Sequence, residues 1–265
     1  MRELSLSSRQ LSACRKKIVD GIRDAVKAAK AAGVVVGLSG GIDSSTLAKL
    51  ASEAVKDVHA LMLPEKSVND PADLRDSIAL ARKLKIKYSV IEIDNAVASI
   101  AGSFPWAGHS PRNRKKAEAN IKPRVRMLYG YLMANLDGRL VLGTTNKTEL
   151  LLGYYTKHGD GACDLEPLAS LYKTQVKQLA RHIGLPENIL KKTPSAGLWR
   201  GQTDEAEIGM TYSEMDAILN CLVDKKMSTA QAASETGISP SKVRSIASLM
   251  AASEHKRCMP PSIEL

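Results

Sequence analysis

A glycine- and serine-rich loop between an apolar strand and a helix constrains the fold of this 265-residue chain more than any other feature. Residues 37–45 read Gly-Leu-Ser-Gly-Gly-Ile-Asp-Ser-Ser, directly after the apolar run 34–36 and directly before a helical pattern at 46–50. Glycines let backbone N–H groups approach an anion, while serine hydroxyls and the partly positive end of a helix add further attraction. The order of strand, loop and helix therefore predicts an α/β protein with an anion-binding site at this loop.

Asp43 is the unexpected member of this loop. A carboxylate repels bound phosphate groups unless a divalent cation lies between them, so Asp43 predicts Mg2+. The loop lacks both the Gly-Lys-Ser/Thr ending of a P-loop and the Gly-x-Gly-x-x-Gly pattern of dinucleotide-binding folds, so neither of these common sites is present here. The plain alternative is a turn that only joins a strand to a helix.

Length and composition suit a single globular domain. Hydrophobic residues make up 44% of the chain and charged residues 25%, with no linker, repeat or low-complexity tract. We therefore expect one domain over 1–265, with a helical C-terminal part at about 211–254. No apolar run approaches membrane-spanning length and the N-terminal residues lack a secretory apolar core, so we expect a cytoplasmic protein without a membrane partner.

Charge and cysteine content say less about the function than the loop at 37–45 does. The chain carries 38 basic and 28 acidic residues, a net charge of +10, which suits a polyanionic partner without distinguishing nucleic acid from nucleotides. Its four cysteines are widely scattered, so they form neither a Cys-x-x-Cys pair nor a disulfide framework. No cysteine lies in a nucleophile elbow of the kind that a glutaminase uses.

Hydrophobic periodicity predicts alternating strands and helices. We predict strands at 33–38, 58–64, 88–93 and 139–144. Between and before them, the pattern predicts helices at 9–31, from the loop to about 56, from 71 to about 84, and at 112–136. This alternation indicates a doubly wound, mainly parallel sheet with helices on both faces. The loops at 38–45, 64–70 and 144–149 then meet at the carboxyl ends of the strands, where ligands bind in such folds.

The motifs taken together resemble one family closely. The loop at 37–45 alone resembles the N-type ATP pyrophosphatases, which attack the α-phosphate of ATP and include GMP, asparagine and NAD synthetases and tRNA-modifying enzymes. The functional residue types at 143–149, 153–164, 166–168 and 173, with 120–127, are similar to those of ammonia-dependent NAD synthetases. The similarity continues in the same order through residues 185–186, 191–198, 202–205, 209–212 and 253–257. It implies the adenine nucleotide alpha hydrolase-like fold.

The resemblance also implies a set of site residues. The positions that match ATP-binding residues of the family are Gly37, Leu38, Ser39, Gly40, Gly41, Ile42, Asp43, Ser44, Thr144, Lys173 and Ser195. Asp43 and Glu149 match the ligands of Mg2+, and Asp43 and Lys173 the catalytic positions. The positions that match residues binding nicotinic acid adenine dinucleotide (deamido-NAD+) are Arg124, Lys157, Asp164, His255 and Lys256.

The implied reaction has two steps and needs no covalent nucleophile. The nicotinate carboxylate attacks the α-phosphate of ATP and releases pyrophosphate, and ammonia then displaces AMP from the adenylate to give NAD+. Free ammonia is the expected nitrogen donor because no glutaminase portion is recognisable.

The resemblance implies a homodimer. Residues 194–204, which include Gly197 and Gly201 and have no periodic apolar face, are expected to form a lid over ATP.

Two alternatives stay open at this point. A GMP synthetase-like or tRNA-modifying adenylating enzyme would share the first loop, although the 143–164 motif suits neither. Residues 229–246 resemble a helix-turn-helix, with an Ala-rich helix, a Gly turn and a second helix carrying basic residues. Such hairpins commonly serve packing only, so we predict no nucleic-acid partner and expect this hairpin to return 253–256 to the substrate site.

Overall fold

Four parallel strands form the central sheet of this computed structural model, which describes residues 4–199 and 201–264. The strands are β1 Gly33–Gly37, β2 Val58–Met62, β3 Lys87–Val90 and β4 Arg139–Leu142. Their order in the sheet is β3-β2-β1-β4, and every neighbouring pair is parallel. The predicted parallel sheet is confirmed. The later strands end two or three residues before their predicted ends, because the chain leaves the sheet there to form loops.

The helices fall in the predicted places between the strands and continue beyond them. The N-terminal helices are α1 Ser8–Ala28, α2 Ile42–Ala54, α3 Pro71–Leu84, α4 Asp94–Ser103 and α5 Pro111–Asp137. After β4 follow α6 Lys147–Leu152, α7 Lys173–His182, α8 Glu187–Leu190, α9 Asp204–Ile208 and α10 Tyr212–Leu219. The chain ends with a π-helical turn Asn220–Asp224 and with α11 Thr229–Thr236, α12 Pro240–Ala252 and α13 Glu254–Arg257.

Alternation along the strands places helices on both faces of the sheet, as predicted. Val34 and Val36 of β1 belong to a buried cluster that includes residues of α1, α2, α3 and α7. Val35, which points to the opposite face, packs in a second cluster with Ala134 of α5. Because successive side chains of a strand point to opposite faces, a run of valines is buried on both sides.

The C-terminal helices share a buried cluster of their own. Met215 and Ile218 of α10 pack with Ala232 of α11 and Val243 of α12. The hairpin of α11 and α12 turns at Gly237, whose φ of +67° favours glycine. Its apolar residues are thus used for packing against α10. Within the part of the chain that the structure describes, no helix is both long and apolar enough to cross a membrane.

The strand order locates the place where ligands bind in such a sheet. The chain runs outward from β1 to β2 and β3, then returns to add β4 on the other side of β1. The loops that follow β1 and β4 therefore diverge and leave a crevice between them at the carboxyl ends of the strands.

Candidate functional site

The loop after β1 has a shape that only glycine at position 40 allows. Gly40 has a φ of +77°, and a Cβ on it would lie 2.6 Å from the carbonyl oxygen of Asp73. The carbonyl oxygen of Gly40 accepts a hydrogen bond of 3.3 Å from the Nζ of Lys192. The loop is therefore held tightly from outside, between the start of α3 and the segment after α8.

The start of α2 leaves backbone donors for a ligand. Gly41 is the N-cap residue and has no side chain to bond the N–H groups of the first turn. The hydroxyls of Ser39 and Ser44 lie 3.1 Å apart, and the Ser44 hydroxyl also donates to the carbonyl of Gly41 at 3.1 Å. This arrangement of free N–H groups and hydroxyls at a helix N-terminus suits a phosphate group.

Asn146 connects the two sides of the crevice. Its side-chain oxygen caps α6 by accepting from the backbone N–H of Glu149 at 3.1 Å, and the Glu149 carboxylate accepts from the Asn146 N–H at 3.3 Å. The side-chain amide of Asn146 donates to Oδ1 of Asp43 at 3.1 Å. This capping box thereby brings the first turn of α6 up to the first turn of α2.

Lys173 lies between the two carboxylates that the sequence indicated. Its Nζ is 2.5 Å from Oδ2 of Asp43 and 3.0 Å from Oε1 of Glu149, and the residue is only 3% exposed. Burial alone would lower the pKa of Lys173, but Asp43 and Glu149 outweigh it and raise that pKa above its usual value. Burial also raises the pKa of Glu149, with Lys173 acting in the opposite direction.

The carboxylates of Asp43 and Glu149 suit a hard cation whose remaining ligands are phosphate oxygens and water. Asp43 and Glu149 already converge on one positive group, the ammonium of Lys173. No group of three or more His, Cys, Asp or Glu residues that could hold a metal occurs within residues 4–199 and 201–264. Mg2+ is commonly held by one or two protein carboxylates together with phosphate oxygens and water. Asp43 and Glu149 fit that pattern, because Asp43 lies in the first turn after the loop suited to phosphate and Glu149 lies beside it across Lys173.

The remaining predicted ATP-binding positions are less tightly connected. Thr144 lies two residues after the end of β4, at the same edge of the sheet as residues 37–44. Ser195 is exposed, and its hydroxyl accepts from the backbone N–H of Gly197 at 3.1 Å. No hydrogen bond among the described residues joins Ser195 to the loop after β1. Lys192, three residues earlier in the chain, makes that connection instead.

Three basic residues that the sequence assigned to the second substrate lie together. Arg124 of α5 donates to the carbonyl oxygen of Lys157 at 3.3 Å. Lys157 in turn donates from Nζ to the carbonyl oxygen of His255 at 2.8 Å. The C-terminal α13 is thus linked to α5 through Lys157. The return of 253–256 to a substrate site stays a prediction. The resulting basic surface suits an anionic ligand.

Lys256 and Asp164 both form hydrogen bonds with backbone groups, and Asp164 also accepts one from a side chain. The Nζ of Lys256 donates to the carbonyl oxygens of Gly153 and Tyr155 at 2.6 and 2.7 Å, and its burial lowers its pKa. Asp164 accepts from the backbone N–H of Val141 at 2.7 Å and from the hydroxyl of Tyr131 at 3.3 Å. Lys256 therefore anchors α13, whereas Asp164 lies at the edge of β4.

Sequence reasoning missed three residues that shape the site. The spacing of Asn146 and Glu149 is that of a capping box and could have identified Asn146. Lys192 and Tyr212 carry no such signal. The ring centroid of Tyr212 lies 5.0 Å from the Nζ of Lys173, and the Tyr212 hydroxyl donates to Asp204 at 2.8 Å.

Comparison with known proteins identifies the family and the fold of this chain. The chain is 44% identical over 249 residues to the NH(3)-dependent NAD(+) synthetase of Hyperthermus butylicus. These residues cover 93% of this chain and 88% of that protein. The solved structure of NMN synthetase from Francisella tularensis has a TM-score of 0.83 and 35% identity, covering 98% of this chain and 100% of that one. The NH3-dependent NAD synthetase of Campylobacter jejuni, solved with the nitrate ion, has a TM-score of 0.80 and 31% identity over 96% and 99% of the two chains. Residues 14–260 match the NAD synthase family itself, and the chain belongs to that family.

Proposed function

We propose that this chain is a ligase that forms a C–N bond, converting deamido-NAD+, ATP and ammonia into NAD+, AMP and pyrophosphate. The observation that carries the proposal is the meeting of Asp43, Glu149 and Lys173 at the crevice between β1 and β4. The names of the curated relatives support the same activity. These names do not support the helix-turn-helix alternative or the other adenylating enzymes. We expect the reaction to take place in the cytoplasm because it consumes ATP.

The crevice residues have distinct tasks toward ATP. The N–H groups at the start of α2 and the hydroxyls of Ser39 and Ser44 bind phosphate oxygens, with Thr144 and Ser195 as further contacts. Asp43 and Glu149 would hold Mg2+, which when bound would neutralise negative charge on the departing pyrophosphate. Lys173 is a point charge between the two carboxylates, next to the loop that binds the phosphates, where it offsets phosphate charge. Orientation and charge neutralisation account for catalysis, and no covalent enzyme intermediate is required.

The basic surface formed by Arg124, Lys157 and His255 binds the anionic second substrate, with Lys256 and Asp164 beside it. One carboxylate oxygen of the nicotinate forms a bond to the α-phosphorus while the bond to the pyrophosphate oxygen breaks. Ammonia then attacks the carbonyl carbon, loses a proton to solvent, and the C–O bond to AMP breaks. Lys157 and Arg124 lie where they can offset the charge of two polyanions that would repel each other.

The name of the Francisella relative points to a second candidate for the substrate that is amidated. That protein is named an NMN synthetase and resembles this chain over its whole length. Nicotinic acid mononucleotide carries the same nicotinate carboxylate as deamido-NAD+ but lacks the adenylate half. The names of the curated relatives favour the dinucleotide.

A product assay tests the function. The protein is incubated with ATP and Mg2+, with either deamido-NAD+ or nicotinic acid mononucleotide, and with either ammonium or glutamine. We expect NAD+ and AMP from the dinucleotide with ammonium. Preferential use of the mononucleotide would shift the assignment to the second acceptor, and activity with glutamine alone would contradict the ammonia dependence. No product from any combination would overturn the proposal.

We also propose a homodimer that forms through α5. Leu128, Leu132 and Leu136 are 58%, 56% and 74% exposed and recur every four residues along this helix. Residues at this spacing lie along one helix face, and a contiguous exposed apolar face is typical of a protein interface. The opposite side of α5 is buried against β1 and β4. A symmetric pairing of two α5 helices would cover the leucines of both copies.

A further inference from the structure

Asp216 is a buried carboxylate that no step of the proposed reaction uses. It lies on α10, has 0% exposure, and belongs to the C-terminal helices rather than to the sheet. Its Oδ1 accepts from the hydroxyl of Thr148 at 2.5 Å, and its Oδ2 accepts from the backbone N–H of Thr174 at 2.8 Å. A carboxylate removed from water is costly unless such donors satisfy it, so its location calls for an explanation.

Both partners of Asp216 are direct neighbours of the charged site residues. Thr148 precedes Glu149 in the first turn of α6, and Thr174 follows Lys173 in the first turn of α7. The Thr148 hydroxyl also accepts from the backbone N–H of Lys173 at 3.0 Å. One carboxylate and one hydroxyl thus tie together the two helix starts from which Glu149 and Lys173 project.

The electrostatics of the contact favour a fixed geometry. A negative charge at the N-terminus of α7 interacts favourably with the helix dipole, and the N–H of Thr174 is one of the donors that a helix start leaves unpaired. Burial raises the pKa of Asp216, while the hydrogen bonds from Thr148 and Thr174 act in the opposite direction. The bonds are shielded from water, so they hold the two turns with little freedom.

We propose that Asp216 is a positioning residue, which sets the separation of Glu149 and Lys173 and makes the C-terminal helices part of the ATP site. This inference rests on the proposed function only in taking ATP as the ligand of the crevice. Small displacements of groups that orient a substrate reduce catalysis sharply. Loss of the Asp216 contacts should therefore weaken the binding of ATP, while the surface that carries Lys157 and Arg124 keeps its structure.

The Asp216→Asn variant tests the proposal because it keeps the shape of the side chain and removes its charge. We expect calorimetry to show ATP with Mg2+ binding about 10- to 100-fold more weakly in the absence of the second substrate, as for other residues that orient ligand groups. The KM for ATP should rise while the KM for deamido-NAD+ changes less than about twofold. Glu214→Gln is the matched control, because Glu214 lies on the same helix but bonds to Lys242 and to the backbone N–H of Thr211.

A pair of variants at Thr148 keeps the test decisive if Asp216→Asn does not fold. Thr148→Val removes the hydroxyl at nearly constant volume, whereas Thr148→Ser retains it. We expect weakened ATP binding for valine and its rescue by serine, with thermal melts confirming that both variants fold. Unchanged ATP affinity in a folded Asp216→Asn or Thr148→Val variant, or an equal loss in Glu214→Gln, would overturn the proposal. Wild-type protein that binds ATP but forms no NAD+ would refute the proposed function alone, since the affinity comparison could still be made.

Discussion

At the scale of single residues, charge balance explains the site. Lys173 is almost fully buried, and its cost of desolvation is offset by two carboxylates within 3.0 Å. Asp43 is held in turn by the side-chain amide of Asn146. Three charges and one amide, contributed by the first turns of α2, α6 and α7, therefore depend on one another. Removal of one charge leaves another buried without its partner.

Asp43→Asn should abolish pyrophosphate release while the fold is retained. The variant loses one of the two carboxylate partners of Lys173 and the proposed Mg2+ ligand, so we expect the rate to fall on the order of 100-fold or more. A pyrophosphate-release assay measures this, and circular dichroism checks the fold. Asp70→Asn is the control, because Asp70 caps α3 and asparagine caps helices equally well. Substantial activity in Asp43→Asn would contradict the metal role.

Gly153→Ala should weaken binding of deamido-NAD+ and leave ATP binding nearly unchanged. Gly153 ends α6 with a φ of +63°, and a Cβ there would lie 2.2 Å from the Cβ of Ser253, so the segment with His255 must move. We expect a KM for deamido-NAD+ at least fivefold higher, on the order of 1 kcal/mol of binding free energy.

Gly237→Ala is the matched control for that prediction. Gly237 ends α11 with a φ of +67°, and no atom lies within 4 Å of the position that an added Cβ would take, so it shares the backbone strain without the clash. An equal rise of the KM for deamido-NAD+ in both variants would show that strain alone is responsible. It would remove the argument that α13 reaches the second substrate.

At the scale of elements, the segment between α8 and α9 is the least regular part near the site. Gly197 and Gly201 have φ of +61° and +77°, and no helix or strand lies between Leu190 and Asp204 among the described residues. The carbonyl oxygen of Leu198 accepts from the Nζ of Lys122 at 2.6 Å. Residue 200, part of the predicted lid, lies outside the described residues. We propose that residues 194–204 close over ATP and that Lys122 of α5 holds them in place.

Limited proteolysis tests this lid. Chymotrypsin cleavage near Trp199 should slow at least severalfold when ATP, Mg2+ and deamido-NAD+ are bound, because the closed segment is less accessible. Lys122→Met should accelerate cleavage in the absence of substrates, whereas Lys83→Met on the exposed face of α3 should not. Equal cleavage rates with and without substrates would count against a lid.

How much could be predicted from the sequence also differs between elements. Periodicity located the four strands and the long α5, because these signals are local, and Asp43 stood out because it conflicts with the phosphate-binding loop around it. The roles of Glu149 and Lys173 came from the family resemblance. The contacts of Asp43 with Lys173 and of Thr148 with Asp216 span 130 and 68 residues, so no local pattern could reveal them. Family membership and the parallel sheet are confirmed, while the residue roles remain proposals.

At the scale of the whole molecule, the C-terminal helices and the sheet share one site. Tyr212 and Asp216 of α10 contact Lys173 and the residues beside it, and α13 contacts Lys157. We propose that the chain functions as one domain, since separating these helices would dismantle the crevice. Its basic character is consistent with anionic substrates.

Leu132→Glu should convert the proposed homodimer into a monomer. A charge in the centre of the leucine row on α5 must be desolvated in the interface, and we expect dissociation at micromolar concentration in multi-angle light scattering. Leu249→Glu, at a leucine that is 40% exposed on α12, is the control and should stay dimeric. A wild-type monomer at that concentration, or a dimeric Leu132→Glu variant, would refute the proposed interface.

The crevice is proposed to direct a carboxylate to the α-phosphorus of ATP, and oxygen labelling tests this attack most directly. Deamido-NAD+ carrying 18O in both carboxylate oxygens is converted in the presence of ATP, Mg2+ and ammonium, and the products are analysed by mass spectrometry. We predict one 18O atom in the phosphate of AMP, one in the amide of NAD+, and none in pyrophosphate. Label in orthophosphate or pyrophosphate, or AMP free of label, would contradict attack at the α-phosphorus.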